Sequence, residues 1–277
     1  TVTLVQAENA NSLDLQSGGT LDGDGNLLTI DGEDGGGHAV ELNGAISGTD
    51  TDITITTAAT TTVDLVPSSG NIRNLTINHA SANVHYSGHT TVAGNLTITA
   101  GTLTCSNSAG NFTVAGKTTI GAGSGSASDA VLTCGDATIS LGSGSTSVTG
   151  LHVTVGGTFT GGTGPHTIGS ILADNSAALS VTLTDDVTTI NGKQYSSSSI
   201  FIATGGTFAH GGGTVNLTYA GATRIYMYND KALNNFTINN GGNTVEVYQD
   251  LTVAGNLTIT AVKVPAVINK FLAVTVD

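Results

Sequence analysis

The ten residues Thr91–Ala100 read TVAGNLTITA, and Thr252–Ala261 repeats them letter for letter. An internal copy of this length constrains the fold strongly, because one local structure has to serve at two places in the chain. Sliding the sequence against itself by 161 positions also pairs Asn74–Asn78 (NLTIN) with Asn235–Asn239 (NFTIN), and Val84 with Val245, without a gap. Weaker echoes lie between the copies. Taking the recurrent glycine as marker gives Gly94, Gly116, Gly135, Gly157, Gly206 and Gly255, at steps of 22, 19, 22, 49 and 49. The long steps read as two units each. A unit of roughly 19–25 residues is the period of a solenoid or an array.

Within the decamer, Val92, Leu96 and Ile98 share one parity, while Thr91, Asn95, Thr97 and Thr99 share the other. Successive strand side chains point to opposite faces, so the stretch reads as a strand with one buried face and one Thr/Asn face. Gly94 falls on the inward parity, where a missing side chain lets the backbone turn a corner. No stretch carries a helical apolar period with caps. With no Trp, 6 Phe and 6 Tyr, there is little to build one large globular core. A repeat array needs none, since each unit buries a thin strip against its neighbours.

The expectation is an all-β, elongated repeat β-solenoid, β-helix-like, with coils of roughly 19–25 residues. Val92, Leu96, Ile98, Val253, Leu257 and Ile259 should point into its core. Three regions are expected: residues 1–70, irregular β with Gly-Asp turns; 71–261, the repeats; and 262–277, a strand-like tail. Inside the first region, strands are expected at Thr1–Val5, Ser12–Leu15, Leu27–Ile30, Ala39–Leu42 and Asp52–Thr56. Residues 121–130 (GAGSGSASDA) and 142–147 (GSGSTS) read as loops, and 171–200 departs from the unit. The two ends are strand-like, so residues 1–5 and 271–276 are the expected contacts to another chain by strand addition.

Twenty acidic against seven basic residues leave a formal charge of −13. That argues against a nucleic-acid partner, because basic side chains supply most phosphate affinity. No apolar run approaches the roughly 18 residues of a membrane helix, so no membrane insertion is expected. The weakly charged, Thr-rich surface suits an extracellular setting. The chain opens TVTLVQ, with no signal peptide visible and no initial Met, which reads as a processed or excerpted part of something longer.

Residues 205–221, GGTFAHGGGTVNLTYAG, and 233–260, LNNFTINNGGNTVEVYQDLTVAGNLTIT, resemble the tandem repeat of large uncharacterised surface and virion proteins of bacteria and phages. In those, a GGTF-x-H-x-x-GTV segment precedes an F-x-N-LTI strand and a DLTV-x-GNLTI strand. The resemblance is close over 205–261 and good over 71–120. It implies a non-enzymatic structural or adhesive segment of an extracellular fibre, on a phage virion or a bacterial cell surface. The implied partners are copies of itself, neighbouring fibre subunits and host-surface glycans. It carries no catalytic residues to transfer.

A carbohydrate-active β-helix enzyme is the alternative. Pectin-degrading hydrolases resemble this chain in an Asp-Asp pair, then His-Gly, then Arg-Ile, here Asp185-Asp186, His210-Gly211 and Arg224-Ile225. Paired carboxylates can serve as acid and base in glycosidic cleavage. Against this, that family's Asn-Thr-Asp motif is missing, its Lys after Arg-Ile is Tyr226 here, and no aromatic platform for a sugar is evident. A ligand-, ice- or calcium-binding solenoid is the third class. Asp22, Asp24, Asn26 and Glu33 follow the ligand spacing of a calcium loop, but Leu27 stands where its glycine belongs. Acidic Gly-Asp stretches are also good turns, the favoured reading, so calcium is the one cofactor considered.

His79, His85 and His89 are close enough to suggest a metal site, yet the repeat copy puts Asn240, Glu246 and Asp250 there. That substitution pattern reads as a solvated outer face. Cys105 and Cys134, each ending an LTC triplet, should point inward, as plain core or as a disulfide. Asn74, Asn95, Asn111, Asn216, Asn235 and Asn256 head N-x-Thr triplets, read as chance products of Thr/Asn-rich strands. Thr54/Thr56, Thr97/Thr99, Thr102/Thr104 and Thr258/Thr260 are similar to the Thr pairs of ice-binding solenoids, which need the pair in every coil.

Overall fold

Val, Ile, Leu and Thr alternate through most of the chain, and in the structure they form strands. A computed structural model describes residues 1–33, 39–48, 50–57, 62–64, 68–86, 90–105, 110–122, 129–144, 150–194, 198–228, 231–249 and 251–261. Every regular element among these residues is a strand, and every pairing is parallel. No helix among them is long and apolar enough to cross a membrane.

The chain visits three ladders in a fixed order. Ladder I runs from Glu8–Ala10 through Leu27–Ile30 and Thr51–Ile55 to Thr223–Met227 and Val245–Tyr248. Ladder II runs from Leu13–Leu15 through Ala130–Cys134 to Thr207–Ala209. Ladder III runs from Thr90–Val92 through His166–Ile168 to Leu257–Ala261. Ile72–Tyr86 and Leu96–Cys105 are long enough to serve ladders I and II in turn. Most strands thus belong to one large parallel sheet. Val2–Thr3, Thr20–Asp22 and Ala45–Ile46 form a separate three-stranded sheet, and Ala232–Leu233 pairs with Thr252–Val253. The arrangement is compatible with a β-helix.

Alternation decides which side is buried. Ile53 and Ile55, Leu75 and Ile77, and Leu96 and Ile98 on ladder I face inward. So do Leu103 and Cys105 with Leu132 and Cys134 on ladder II, and Phe112, Val114, Ile139 and Leu141 on ladder III. All belong to one buried apolar cluster reaching from Leu4 to Val253. Burying a Leu or Ile side chain fully contributes about 1.5–3 kcal/mol. Parallel sheets usually have both faces covered; here the outer faces carry Thr, Ser and Asn, which tolerate water and retain strand propensity.

Val92, Leu96, Ile98 and Val253 are buried as expected. Leu257 is only partly buried and Ile259 is 50% exposed, on Leu257–Ala261, the last described strand of ladder III. The same ladders also continue through residues 1–70. Glu8–Ala10, Thr20–Asp22, Ala45–Ile46 and Thr62–Asp64 escape the sequence reading because strands of two or three residues disappear among Gly-Asp turns. Residues 171–200 likewise keep the ladders, through Ile171–Ala173, Ser180–Thr182, Val187–Ile190 and Ser198–Ile202. Much of the two expected loops, all of 262–277 and the expected contact at 271–276 lie outside the described residues.

The corners explain why the decamer recurs. Asn95 donates its backbone N–H to Asn74 Oδ1 at 2.8 Å, and Asn256 donates to Asn235 Oδ1 at 3.0 Å. Gly94 N–H meets the Arg73 carbonyl at 2.6 Å, and Gly255 N–H meets Asn234 at 2.8 Å. A Cβ on Gly94 would sit 2.4 Å from Asn74 Oδ1, and one on Gly255 would sit 2.6 Å from Asn235 Oδ1. Glycine is required here by the neighbouring corner's approach. Three of the N-x-Thr asparagines, Asn74, Asn235 and Asn95, whose Oδ1 accepts from Lys117 N–H at 2.9 Å, therefore have a structural role in place of the chance reading. They hold each corner to the next.

The two copies are nonetheless one ladder out of phase. Leu96–Ile98 of the first lies in ladder I, whereas Leu257–Ile259 of the second lies in ladder III.

Candidate functional site: an aromatic stripe on ladder I

The outward column of ladder I changes character partway along. Thr29, Thr54, Thr76, Thr97 and Thr119 follow one another in register. From there the same column continues as His152, Leu172, Phe201, Tyr226 and Tyr248. The other two ladders show no such switch. Ladder II carries Thr104, Thr133, Thr160 and Thr182 and ends at Ala209, and ladder III runs Thr189, Asn216, Thr237, Thr258 past the level of the rings. Thr is the ordinary solvated choice on a strand, so the replacement of Thr by rings on one face alone calls for an explanation.

The rings form one connected group. Phe201 lies 5.3 Å from Tyr226 and 6.0 Å from Tyr228, both tilted. Tyr226 is parallel to Tyr228 at 6.4 Å and stacked on Tyr248 at 4.7 Å. Since carbon atoms in contact are about 3.5–4.0 Å apart, the 4.7 Å stack is offset, and each ring leaves part of its face uncovered by its neighbour. Tyr248 is 38% exposed.

Charges beside the rings are matched in pairs. Arg224 Nε donates to Glu246 Oε2 at 2.9 Å, and its guanidinium carbon lies 5.4 Å from the Tyr248 centroid. Tyr248 Oη donates to the same Glu246 oxygen at 3.1 Å. The Arg224 bond, then the Tyr248 bond, hold the Glu246 carboxyl below its usual range, while the bond to Glu246 pushes the Tyr248 phenol up. At the other end His152 Nε2 and Asp174 Oδ2 are 3.0 Å apart.

The stripe gathers rings that the sequence does not show as a group. Its residues are scattered over 97 positions of sequence, from His152 to Tyr248, and only the ladder register aligns them. Asp185 and Asp186 sit exposed at a corner between ladders II and III, and His210 sits at the next corner of that stack, where Thr214 N–H bonds the Asp186 carbonyl. Arg224 is elsewhere, on ladder I with Glu246. The sequence order of these pairs does not become one site.

Asp22 and Asp24 share one turn, in which Asp24 N–H meets Asp22 Oδ1 at 3.2 Å, and the Asn26 amide donates to the Leu4 carbonyl at 2.9 Å. Glu33 lies beyond the strand Leu27–Ile30, and its carbonyl accepts from Asn11. Among the described residues no three His, Cys, Asp or Glu side chains group as metal ligands. His79 accepts from Ser81 N–H at 3.1 Å and His85 faces outward on ladder II; His89 and Asp250 lie outside the described residues. Asn240, the repeat counterpart of His79, is fully buried and exchanges amide bonds with Asn243, so that slot is not uniformly solvated.

Cys105 and Cys134 face each other in register as buried free thiols, and burial pushes both pKa values up. The four Thr pairs fall on three ladders: 54/56 and 97/99 on I, 102/104 on II, 258/260 on III. They make no single Thr-pair face. Sequence reading also missed His166, an inward residue of ladder III set edge-on to Phe159 at 5.9 Å. Burial lowers its pKa to about 4, with the Gly161 backbone and the Asp186 charge opposing in smaller measure.

Compared with family models, curated proteins and solved structures, the chain matches none.

Proposed function

We propose that the chain is a non-enzymatic structural and adhesive segment of an extracellular fibre, on a virion or a bacterial surface, folded as a three-sided β-solenoid. The observation that supports this most is the shared core. Inner side chains of three parallel ladders enter one continuous buried cluster, as they do when ladders close around a common axis. Eleven strands of ladder I, from Glu8–Ala10 to Val245–Tyr248, at about 4.8 Å per step give a rod about 48 Å long.

Wherever a stack of such coils stops, it leaves a strand edge. Edges of this kind recruit another chain, which makes copies of itself or neighbouring fibre subunits the natural partners. Negative-stain electron micrographs and light scattering at high concentration test the reading. Rods joined end to end are expected; particles that stay single and round would reject it.

A further inference from the structure

We propose that the stripe Leu172, Phe201, Tyr226, Tyr228 and Tyr248 is a binding surface for an extended, neutral polysaccharide chain. The inference rests on the adhesive half of the function proposed above and is independent of the fibre half.

The shape of the stripe selects the ligand. From Leu172 to Tyr248 there are three strand steps, so it runs about 14 Å at about 4.8 Å per step. It is one or two rings wide, with Tyr226 and Tyr228 lying 6.4 Å apart. Its area is on the order of 200 Å², well below the roughly 800 Å² per partner of a stable protein interface. A second copy of this chain or a globular protein would find too little to bury. A slender polymer that repeats at nearly the spacing of the rungs meets an equivalent group at each step, and one pyranose in an extended glycan has about that length.

The chemistry agrees with the shape. A pyranose presents C–H groups on its faces and hydroxyls around its rim. The uncovered parts of offset rings carry the negative side of the aromatic quadrupole, which attracts polarised C–H groups. The phenols of Tyr226, Tyr228 and Tyr248 add polar tips that trade hydrogen bonds with hydroxyls. Charge excludes the polyanions: Arg224 is taken by Glu246 and His152 by Asp174, while the net charge of −13 repels an acidic chain.

Affinity electrophoresis tests this with native gels containing hydroxyethyl cellulose, a β-1,3-glucan, a mannan or, as the anionic arm, polygalacturonate. The expected result is retardation by at least one neutral polymer, with apparent affinity lowered at least tenfold in Tyr226→Ala/Tyr248→Ala. Thr97→Ala, in the Thr part of the same column, should leave binding unchanged. Tyr226→Phe/Tyr248→Phe keeps the rings and should retain most of the binding, and melting curves confirm that each variant is folded. No retardation by any neutral polymer, retardation by polygalacturonate only, or neutral binding unchanged in the Ala variant would overturn the proposal. So would a dimer in light scattering that the Ala variant dissolves, which would give the stripe to a second copy. Micrographs of the same Ala variant keep the two proposals apart, since rods that persist without binding leave the fibre reading intact.

Discussion

Residues 91–100 and 252–261 have identical letters and the same corner, yet they lie in different ladders and different surroundings. In both, asparagine from the neighbouring unit takes the corner N–H, and glycine allows its approach. In the first copy Ile98 is covered completely; in the second its counterpart Ile259 is half exposed. Ten residues of sequence therefore specify the bend and the strand that follows. They do not specify which ladder the strand joins, or how deeply it is buried. Those depend on the strands above and below.

The largest effect separates the copies by burial. Ile98→Asp places an unpaired carboxylate in the apolar cluster, at a cost of several kcal/mol or more, and cooperative unfolding should disappear. Ile259→Asp at the matching position should lower the unfolding free energy by less than about 1 kcal/mol. Equal losses at the two sites would end the comparison.

A second test moves from placed charge to titration in the same interior. His166 takes up a proton near 6.5 when unfolded and only near about 4 when folded. Between those values the unfolded chain binds more protons, so stability falls as pH drops from 6.5 to about 4 and levels off below. The loss is about 3 kcal/mol. His166→Leu should flatten the midpoint-against-pH curve over that window; a curve unchanged by the substitution would contradict the burial.

The corners should behave alike where the strands do not. Gly94→Ala and Gly255→Ala each drive a Cβ against the neighbouring asparagine and should each cost about 1–3 kcal/mol. Smaller still, Asn235→Ala removes one acceptor from one corner N–H, about 1 kcal/mol, with Asp there recovering most of it, whereas Asn74→Ala also removes the amide bond to Asp52 Oδ1 and should cost more. Unequal costs of the two glycine substitutions would mean that the copied letters do not make copied corners.

The same division marks what can be read from the letters. Strand parity is local, so Val92, Leu96 and Ile98 are legible as core from their alternation with Thr. In the N-terminal region Leu13–Leu15, Leu27–Ile30, Val40–Leu42 and Thr51–Ile55 are legible as strands, whereas Glu8–Ala10, Thr20–Asp22, Ala45–Ile46 and Thr62–Asp64 are not, because two or three residues between turns carry no period. The stripe is beyond local reading for a different reason. Leu172, Phe201 and Tyr226 are each unremarkable outward residues, and corners of unequal length hide that they share a column. Variation in unit length is absorbed at the corners while the ladders keep register, a separation that no spacing count between glycines exposes. His166 is not legible as core, because a lone histidine among Thr and Gly looks like part of a solvated turn.

The most direct test of ladder assignment is a paired-cysteine crosslink in a background with Cys105 and Cys134 replaced by Ala. Thr258 is in register with Thr237 on ladder III, at the about 4.8 Å of adjacent strands, inside the range that a disulfide spans. Thr237→Cys/Thr258→Cys should close a disulfide under mild oxidation, seen as a loss of two hydrogen atoms in the intact mass, while Tyr248→Cys/Thr258→Cys should stay reduced. Closure of the Tyr248 pair and not the Thr237 pair would place the second decamer on ladder I with the first and contradict the account.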